Sequence, residues 1–328
     1  MLSQPLVSII TPCHNHAPYL DDYFHGLLSQ TYRNIELIFI DDGSTDESWQ
    51  IVCRYETLLR ARLARVVLER QDNVGVHATC SRALARVTGE YTSFLESDDY
   101  YLPGKVADSV HYLETHPEIG FVHTDTHYVY ADRVEHCHWA SARKQMPTGW
   151  IYEELLEGNF IKTCSMCCRT DLLRRSVSFE RYRARRYLMG DYPMFLDLAR
   201  HARCGYIPDA LSCYRVLAES ASHSRDPKRQ YRFWRSHHQI RLDYSAHLQS
   251  TRRARRAARR HRSAALTYLA HLEYERGNRR RARRLFRKGA LGLDAAGLSR
   301  VLATYLPPRL FSGTRSVWQA LQRQMLCR

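Results

Sequence analysis

The sequence predicts an α/β fold: a mainly parallel sheet followed by an α-helical C-terminal extension. Three observations lead there. Short β-branched or apolar runs alternate with amphipathic helical runs through about residue 125. Polar clusters fall just beyond several of the apolar runs, at the edge where open parallel sheets bind ligands. From Arg181 onward the composition shifts to clustered arginine, densest between Arg252 and Lys288. With 328 residues, 44% hydrophobic and 11% aromatic, the chain can fill one large core or two smaller ones.

Val7 to Thr11 reads as a buried strand stopped by Pro12. Cys13 to Pro18 is a loop, and Pro18 suits the first turn of a helix reaching about Gln30. Ile35 to Ile40 is apolar almost throughout, as a strand covered on both faces should be, and ends on Asp41-Asp42-Gly43. Ser44 to Glu47 has the form of a capping box, opening a helix toward Leu59. Val66 to Leu68 is a third strand, followed by Asn73-Val74-Gly75 and a small-residue helix through Ala78, Ala83 and Ala85. Gly89-Glu90 turns into a strand that begins at Tyr91 and ends on Glu96-Ser97-Asp98-Asp99. A helix from Lys105 to Glu114 and a strand from Ile119 to His123 complete five β/α repeats.

Asp125 to Gly149 shows no clear period, and Ala140 to Pro147 reads as a loop. Trp150 to Leu156 and Met194 to His201 read as helices, Tyr206 to Pro208 and Leu211 to Arg215 as short strands. A run rich in Ser, His and charge from Ser220 to Arg229 sets the boundary between residues 1–220 and a basic helical region, 221–328. Ala264 to Asp294 has the spacing of one tetratricopeptide unit, but one copy lacks the neighbours such a repeat needs, so an ordinary helical hairpin is expected. Leu306 to Phe311 and the helix around Trp318 suit either a membrane surface or packing on the domain.

Acids crowded at a strand end repel, raise one another's pKa and resist burial unless a cation joins them. A hard divalent ion takes oxygen ligands of this kind; the plainer alternative is a solvated acidic turn before Leu102-Pro103-Gly104. The net charge of +15 calls for an anionic partner to the C-terminal part. No nucleic-acid module or interleaved aromatic accompanies the Arg runs, so nucleic acid is disfavoured and peripheral contact with an anionic membrane, or a partner protein, is expected. The start lacks a basic leader, no apolar run approaches ~20 residues, and ten cysteines without an export signal read as reduced thiols. The expected compartment is the cytoplasm, with the inner face of the cell membrane as a peripheral site. Cys164, Cys167 and Cys168 lack a second pair at zinc spacing and read as small core residues.

Taken in order, Val7-Ser-Ile-Ile-Thr-Pro-Cys-His-Asn15, Leu28-Ser-Gln-Thr-Tyr32, Asp41-Asp-Gly-Ser-Thr-Asp46, Asn73-Val-Gly75, Gly89-Glu-Tyr91 and Phe94-Leu-Glu-Ser-Asp-Asp99 closely resemble a family-2 glycosyltransferase of the GT-A fold. Gly190-Asp191 and Tyr214-Arg215 extend the resemblance more loosely, to about two thirds of the chain. It implies a nucleotide-sugar part over about 5–125 and an acceptor part over about 126–220. The Thr11-Pro12 backbone and Asn15 would line the base and ribose pocket, and Asp42 would bond the base, with Asp41 toward the ribose. Asn73 and Gly75 would border the nucleotide. Asp98 and Asp99 would be metal acids for Mg²⁺ or Mn²⁺, Asp99 the direct ligand, and Asp191 the catalytic base of a single inverting displacement. The donor would be a nucleoside-diphosphate sugar, a UDP-sugar first, and the acceptor a hydroxyl of a glycan or lipid-linked glycan in surface polysaccharide synthesis. On residues alone, Asp191 is first a helix N-cap, a role compatible with holding a base.

The chain departs from the family pattern in three places. Glu96 stands where many relatives have Asp, and Thr79-Cys80-Ser81 replaces a run containing Arg. Leu217 stands near a frequent His, for which His223 would have to substitute. A non-catalytic sugar-nucleotide-binding scaffold is the alternative, against which intact Asp42, Asp98, Asp99 and Asp191 argue. A nucleotidyltransferase would need a Gly-rich loop where Pro12-Cys-His-Asn-His16 stands.

Overall fold

The computed structural model describes residues 4–141, 145–217, 220, 226–247 and most of 259–289. Parallel strands β1 (Val7–Cys13), β2 (Ile35–Asp42), β3 (Arg65–Gln71) and β4 (Tyr91–Phe94) lie in the order β3-β2-β1-β4. Every residue of β2 is buried, which is why its sequence is apolar on both faces. Helices α1 (Leu20–Leu28), α2 (Ser48–Arg62), α3 (Val76–Leu84) and α4 (Lys105–Thr115) connect or follow these strands. Leu20, Tyr23, Phe24 and Leu27 of α1 pack with Phe39, Ile51 and Leu59 in the main core.

Beyond β4 the sheet becomes mixed. Strand β5 is the short Tyr100–Tyr101, β6 runs Ile119–Val129, β7 Val134–Glu135, β8 Met166–Arg169 and β9 Arg203–Arg215. The order continues β4-β8-β6-β9-β5, with β8 antiparallel to both its neighbours and β6 parallel to β9. The expected fifth parallel repeat is therefore interrupted. β6 does not lie beside β4, because the cysteine-bearing β8 inserts between them from about 70 residues later in the chain. Cys164, Cys167 and Cys168 are all buried there, as small core residues.

Four further expectations are corrected. β1 continues through Pro12 to Cys13; Pro12 lies past Ile10, the last β1 residue paired with β4, where a missing N–H is tolerated. The capping box at Ser44 does not form: Glu47 precedes α2 without a side-chain cap, while Asp46 accepts from the Ser48 amide at 3.0 Å. The unpatterned stretch after Asp125 is the continuation of β6, the β6–β7 hairpin and α5 (His138–Ser141). The two short strands near Tyr206 and Leu211 are one irregular strand, β9, whose register against β6 shifts in three places.

Later helices are α6 (Tyr152–Glu157), α7 (Thr170–Ser176), α8 (Phe179–Ala184), α9 (Asp191–His201), α10 (Pro227–Ser245) and α11 (Arg279–Gly289). The chain divides into two compact units. The first comprises Met1–Tyr152, Ile161–Arg186 and Gly190–His223, and holds the sheet. The second comprises Glu153–Phe160, Tyr187–Met189 and Ser224–Arg328. Within the second, Tyr187 donates to Asp243 at 2.7 Å and Tyr231 to Glu273 at 2.6 Å, while Ala270, Ala282 and Phe286 form a small core. Leu306 to Phe311, Trp318 and His223 lie outside the described residues. Among the described residues no helix is long and apolar enough to cross a membrane.

Candidate active site

The site grows from the carboxyl edge of the parallel strands. Registers Cys13↔Asp41 and Asp42↔Gln71 align the ends of β1, β2 and β3 there. Asp42 grips the next loop: its Oδ1 accepts from the Val74 amide at 2.9 Å and Gln71 Nε2 at 2.8 Å, and its Oδ2 from the Gly75 amide at 2.9 Å. A carboxylate offers about four acceptor positions, so one on Oδ2 remains after these three bonds. Gly43 permits this closeness, since with φ +72° a Cβ would sit 2.7 Å from the Asn73 amide nitrogen. Gly75, at φ +87°, then leads into α3. Gln71, which bonds Asp42 directly, is a candidate site residue that sequence reasoning missed, although its place at a strand end opposite Asp42 was a usable signal.

The other residues that the resemblance assigns to the nucleotide are placed as follows. Asn15 adopts a left-handed φ of +58°, donates its amide to Ser44 Oγ at 2.9 Å and accepts from the Thr45 amide at 2.8 Å, stapling the β1 loop to the β2 loop. Ser44 is thereby committed, which removes it from the expected cap. Thr11 turns its hydroxyl into the core, 2.6 Å from that of Tyr23, so only its backbone is left for a ligand. Pro12 accepts from Ser97 Oγ at 3.3 Å, joining the β1 end to the acidic loop. Asp41 is fully buried; its Oδ1 accepts from the Ser44 amide and lies 3.5 Å from Arg70 Nε, and its Oδ2 has no partner. Exposed Asn73 meets His14, with Nδ2 3.3 Å from Nε2. Burial pushes the Cys13 thiol up to about 12, so it is no thiolate near neutral pH.

Glu96, Asp98 and Asp99 bring carboxylate oxygens within 4.8 Å of one another. Asp99 is buried, and its Oδ1 accepts from the Arg215 amide at 2.8 Å while Oδ2 is buried with no partner. Burial, then the charge of Asp98, raises the Asp99 carboxyl well above its ordinary range. Burial first, then Asp99, Asp98 and Asp191, does the same to Glu96, with Lys162 opposing. Half-buried Asp98 lies 3.9 Å from His16 Nδ1, which is 2.8 Å from Ser97 Oγ. An all-oxygen trio with an orphaned buried oxygen fits a hard divalent cation such as Mg²⁺ or Mn²⁺. Glu96 joins Asp98 and Asp99 as a candidate ligand, as the crowding of three acids in the sequence suggested, whereas the family resemblance named only Asp98 and Asp99. The signal was its charge at a strand end. What the sequence did not show was the turn that folds it back onto the other two.

Asp191 opens α9, but Gly190 takes the N-cap position and no side chain caps the helix, so the capping role is not realised. The first turn still favours its negative charge. A Cβ on Gly190 would lie 3.3 Å from His77 of α3, which sets the start of α9 beside the helix that follows Gly75. Asp191 is close enough for its charge to act on both Glu96 and Lys162. Lys162, also missed from sequence, lies before β8 in a stretch with no periodic signal.

Residues 8–177, just over half of the chain, match the family model of glycosyl transferase family 2. An uncharacterized protein of Mycobacterium tuberculosis is 29% identical over 70% of this chain and 63% of its own length. The Escherichia coli UDP-Glc:alpha-D-GlcNAc-diphosphoundecaprenol beta-1,3-glucosyltransferase WfaP is 30% identical over 52% of this chain and 61% of its length. This chain thus matches a little under two thirds of the length of either relative. The mannosyltransferase PcManGT from Pyrobaculum calidifontis, solved with GDP-Man and Mn²⁺, superposes with a TM-score of 0.58 at 16% identity, covering 99% of this chain and 86% of that one. That likeness shows the GT-A-like fold, a curled, mostly parallel sheet with a helical C-terminal region. The matched span takes in the strand ends, the Asp42-bound loop, the acidic trio and β8, and the chain belongs to glycosyl transferase family 2.

Proposed function

We propose that this protein is an inverting, metal-dependent glycosyltransferase. It takes a sugar from a nucleoside-diphosphate sugar, a UDP-sugar first, and transfers it to a hydroxyl of a glycan or lipid-linked acceptor in surface polysaccharide synthesis. The observation that carries the reading is the unpartnered, buried Oδ2 of Asp99 inside a three-carboxylate cluster, at the same sheet edge as the Asp42-bound loop.

Asp42 and the loop through Asn73 and Gly75 hold the nucleoside, the last acceptor position of Asp42 taking a base N–H. Asn15 and the Thr11-Pro12 backbone shape the wall beside it, with Asp41 beneath toward the ribose. Asp99, Asp98 and Glu96 would hold Mg²⁺ or Mn²⁺, which when bound offsets the charge of the departing diphosphate. Asp191 accepts the proton of the acceptor hydroxyl as its oxygen attacks the anomeric carbon; the carbon–oxygen bond to the diphosphate breaks with its electron pair, inverting the centre. The similarity to WfaP, a UDP-Glc:alpha-D-GlcNAc-diphosphoundecaprenol beta-1,3-glucosyltransferase, supports the choice of substrates. The Mn²⁺ and GDP-Man in PcManGT support the metal and leave the base open to test. The protein works in the cytoplasm, its basic helical region against an anionic membrane.

The test is a donor-hydrolysis screen of nucleotide sugars with Mn²⁺, with EDTA, and with Asp99→Ala. Slow release of one nucleoside diphosphate, lost with EDTA and in the variant, is expected. Failure to bind any sugar nucleotide or nucleoside diphosphate with metal present would overturn the reading in favour of a scaffold.

A further inference from the structure

Lys162, like Lys105 set against tyrosine rings without an ion pair among the described residues, is the cation whose charge acts on Glu96. Its Nζ lies 4.8 Å from the centre of the Tyr214 ring and 5.4 Å from that of Tyr128, held between two aromatic groups. Tyr128 is itself fixed, stacked on His138 at 3.9 Å between ring centres, and His138 Nδ1 meets Glu135 at 2.8 Å. The Lys162 carbonyl accepts from the Ser165 amide at 3.0 Å and from Ser165 Oγ at 2.8 Å, which fixes the backbone as well. Lys162 is half-buried and makes no ion pair among the described residues, whereas Arg65, Arg70, Arg82, Arg86, Arg181 and Arg215 each do. Its charge nevertheless acts on Glu96, and that of Asp191 acts on it.

Those observations describe a preorganised cation that lacks an anion. Burial works against its charge, while Tyr128, Tyr214 and Asp191 favour it, and the balance lies above the usual range of an ammonium. It lies within the field of the metal-type trio and of the candidate base, where the transfer reaction places its most highly charged ligand. Aromatic faces keep the stem in one conformation without neutralising the head, as a contact for a transient anion requires.

We propose that Lys162, bracketed by Tyr128 and Tyr214, binds the diphosphate of the donor and of the departing nucleoside diphosphate, as a protein-borne cation additional to any metal. This deepens the glycosyltransferase reading and rests on it. Lys162 donates to a non-bridging phosphate oxygen in the ground state. The contact strengthens as the carbon–oxygen bond breaks and its electron pair passes to the diphosphate.

The test is calorimetric binding of UDP, uridine, GDP and guanosine to the full chain, with Mn²⁺ and again with EDTA. The wild-type protein is expected to prefer one diphosphate over its nucleoside, and to keep part of that preference in EDTA. Lys162→Gln is expected to weaken the diphosphate by about tenfold or more in both conditions, as loss of a charged hydrogen bond does, and to leave the nucleoside unchanged. Lys162→Arg is expected to recover most of the loss. Lys162→Met keeps the aliphatic stem between the rings and serves if the Gln variant does not fold. Unchanged diphosphate affinity in a cooperatively melting variant, or equal weakening of nucleoside and diphosphate, would overturn the proposal and leave Lys162 a structural charge. A wild-type chain that binds neither diphosphate, nor any nucleotide sugar of the donor screen with Mn²⁺, would overturn the transferase reading itself, a separate outcome.

Discussion

At Asp99 one carboxylate oxygen accepts from the Arg215 amide at 2.8 Å and the other meets no donor. Burial raises its carboxyl, so the folded metal-free protein binds a proton there more tightly than the unfolded chain does. Such a group stabilises the fold at low pH, and its contribution is lost as pH rises from the ordinary value of 3.8 through the raised one. In EDTA the melting temperature is therefore expected to fall across that window, and Asp99→Asn to flatten the fall. Mn²⁺ is expected to raise the wild-type melting temperature near neutral pH and not that of Asp99→Asn, which calorimetry with added metal checks. Asp191 calls for a different measurement. Asp191→Asn is expected to lower kcat by about 10²–10⁴-fold while donor and Mn²⁺ affinities hold, the loss typical of a general base. A variant that instead loses donor affinity would place Asp191 in binding.

Between elements, a buried carboxylate and a turn glycine hold the strand ends in place. Glu36 of β2 is fully buried and accepts from Ser8 of β1, from the Thr88 amide at 2.9 Å and hydroxyl at 2.6 Å before β4, and from Arg65 of β3. Burial opposes its charge, but these bonds win and lower its carboxyl below the ordinary 4.5. Its contribution is complete above that value and lost as pH falls through the lowered one. Glu36→Ala is expected to cost about 2–3 kcal/mol by leaving buried donors unpaired, and to weaken the acid sensitivity of the melting curve. At Gly43, substitution by Ala meets both a positive φ and the Asn73 backbone. It is expected to cost about 1–3 kcal/mol and to weaken nucleoside binding by displacing the loop that Asp42 holds, read from denaturation and uridine titration.

For the whole molecule, charge separation is the main feature. The sheet-bearing unit clusters Asp41, Asp42, Glu96, Asp98 and Asp99 near its strand ends, whereas α11 carries Arg279, Arg280, Arg281, Arg283, Arg284, Arg287 and Lys288 around the buried Ala282 and Phe286. The full chain is expected to co-sediment with anionic phospholipid vesicles at low ionic strength, to be released by about 0.5 M salt as screening shortens to a few ångströms, and to ignore neutral vesicles. Equal binding to neutral vesicles, or no salt effect, would sink the electrostatic account.

Much of this was legible in the residues themselves. The short apolar, β-branched runs of β1 and β2, bounded by turn residues, favoured buried strands over helices, and Asp42, Asn73, Gly75, Asp98 and Asp99 marked the edge where those strands end. Local pattern failed where a residue's partner lay far along the chain. β8 shows no alternation, being buried on both sides between β4 and β6, and β6 was read too short because its second half is stabilised by β9, some 85 residues away. Glu96 was in the acidic cluster from the start but was shown to lie with Asp98 and Asp99 only by the turn that folds it onto them, and Lys162 acquired its setting only when β6 and β9 brought Tyr128 and Tyr214 to it. The sequence by itself determined which residues had to be buried and which chemical groups were on hand, since hydrophobicity and ionisation belong to single side chains. Tertiary structure alone decided which charges were left without partners, because that depends on distances closed by pairing across the sheet.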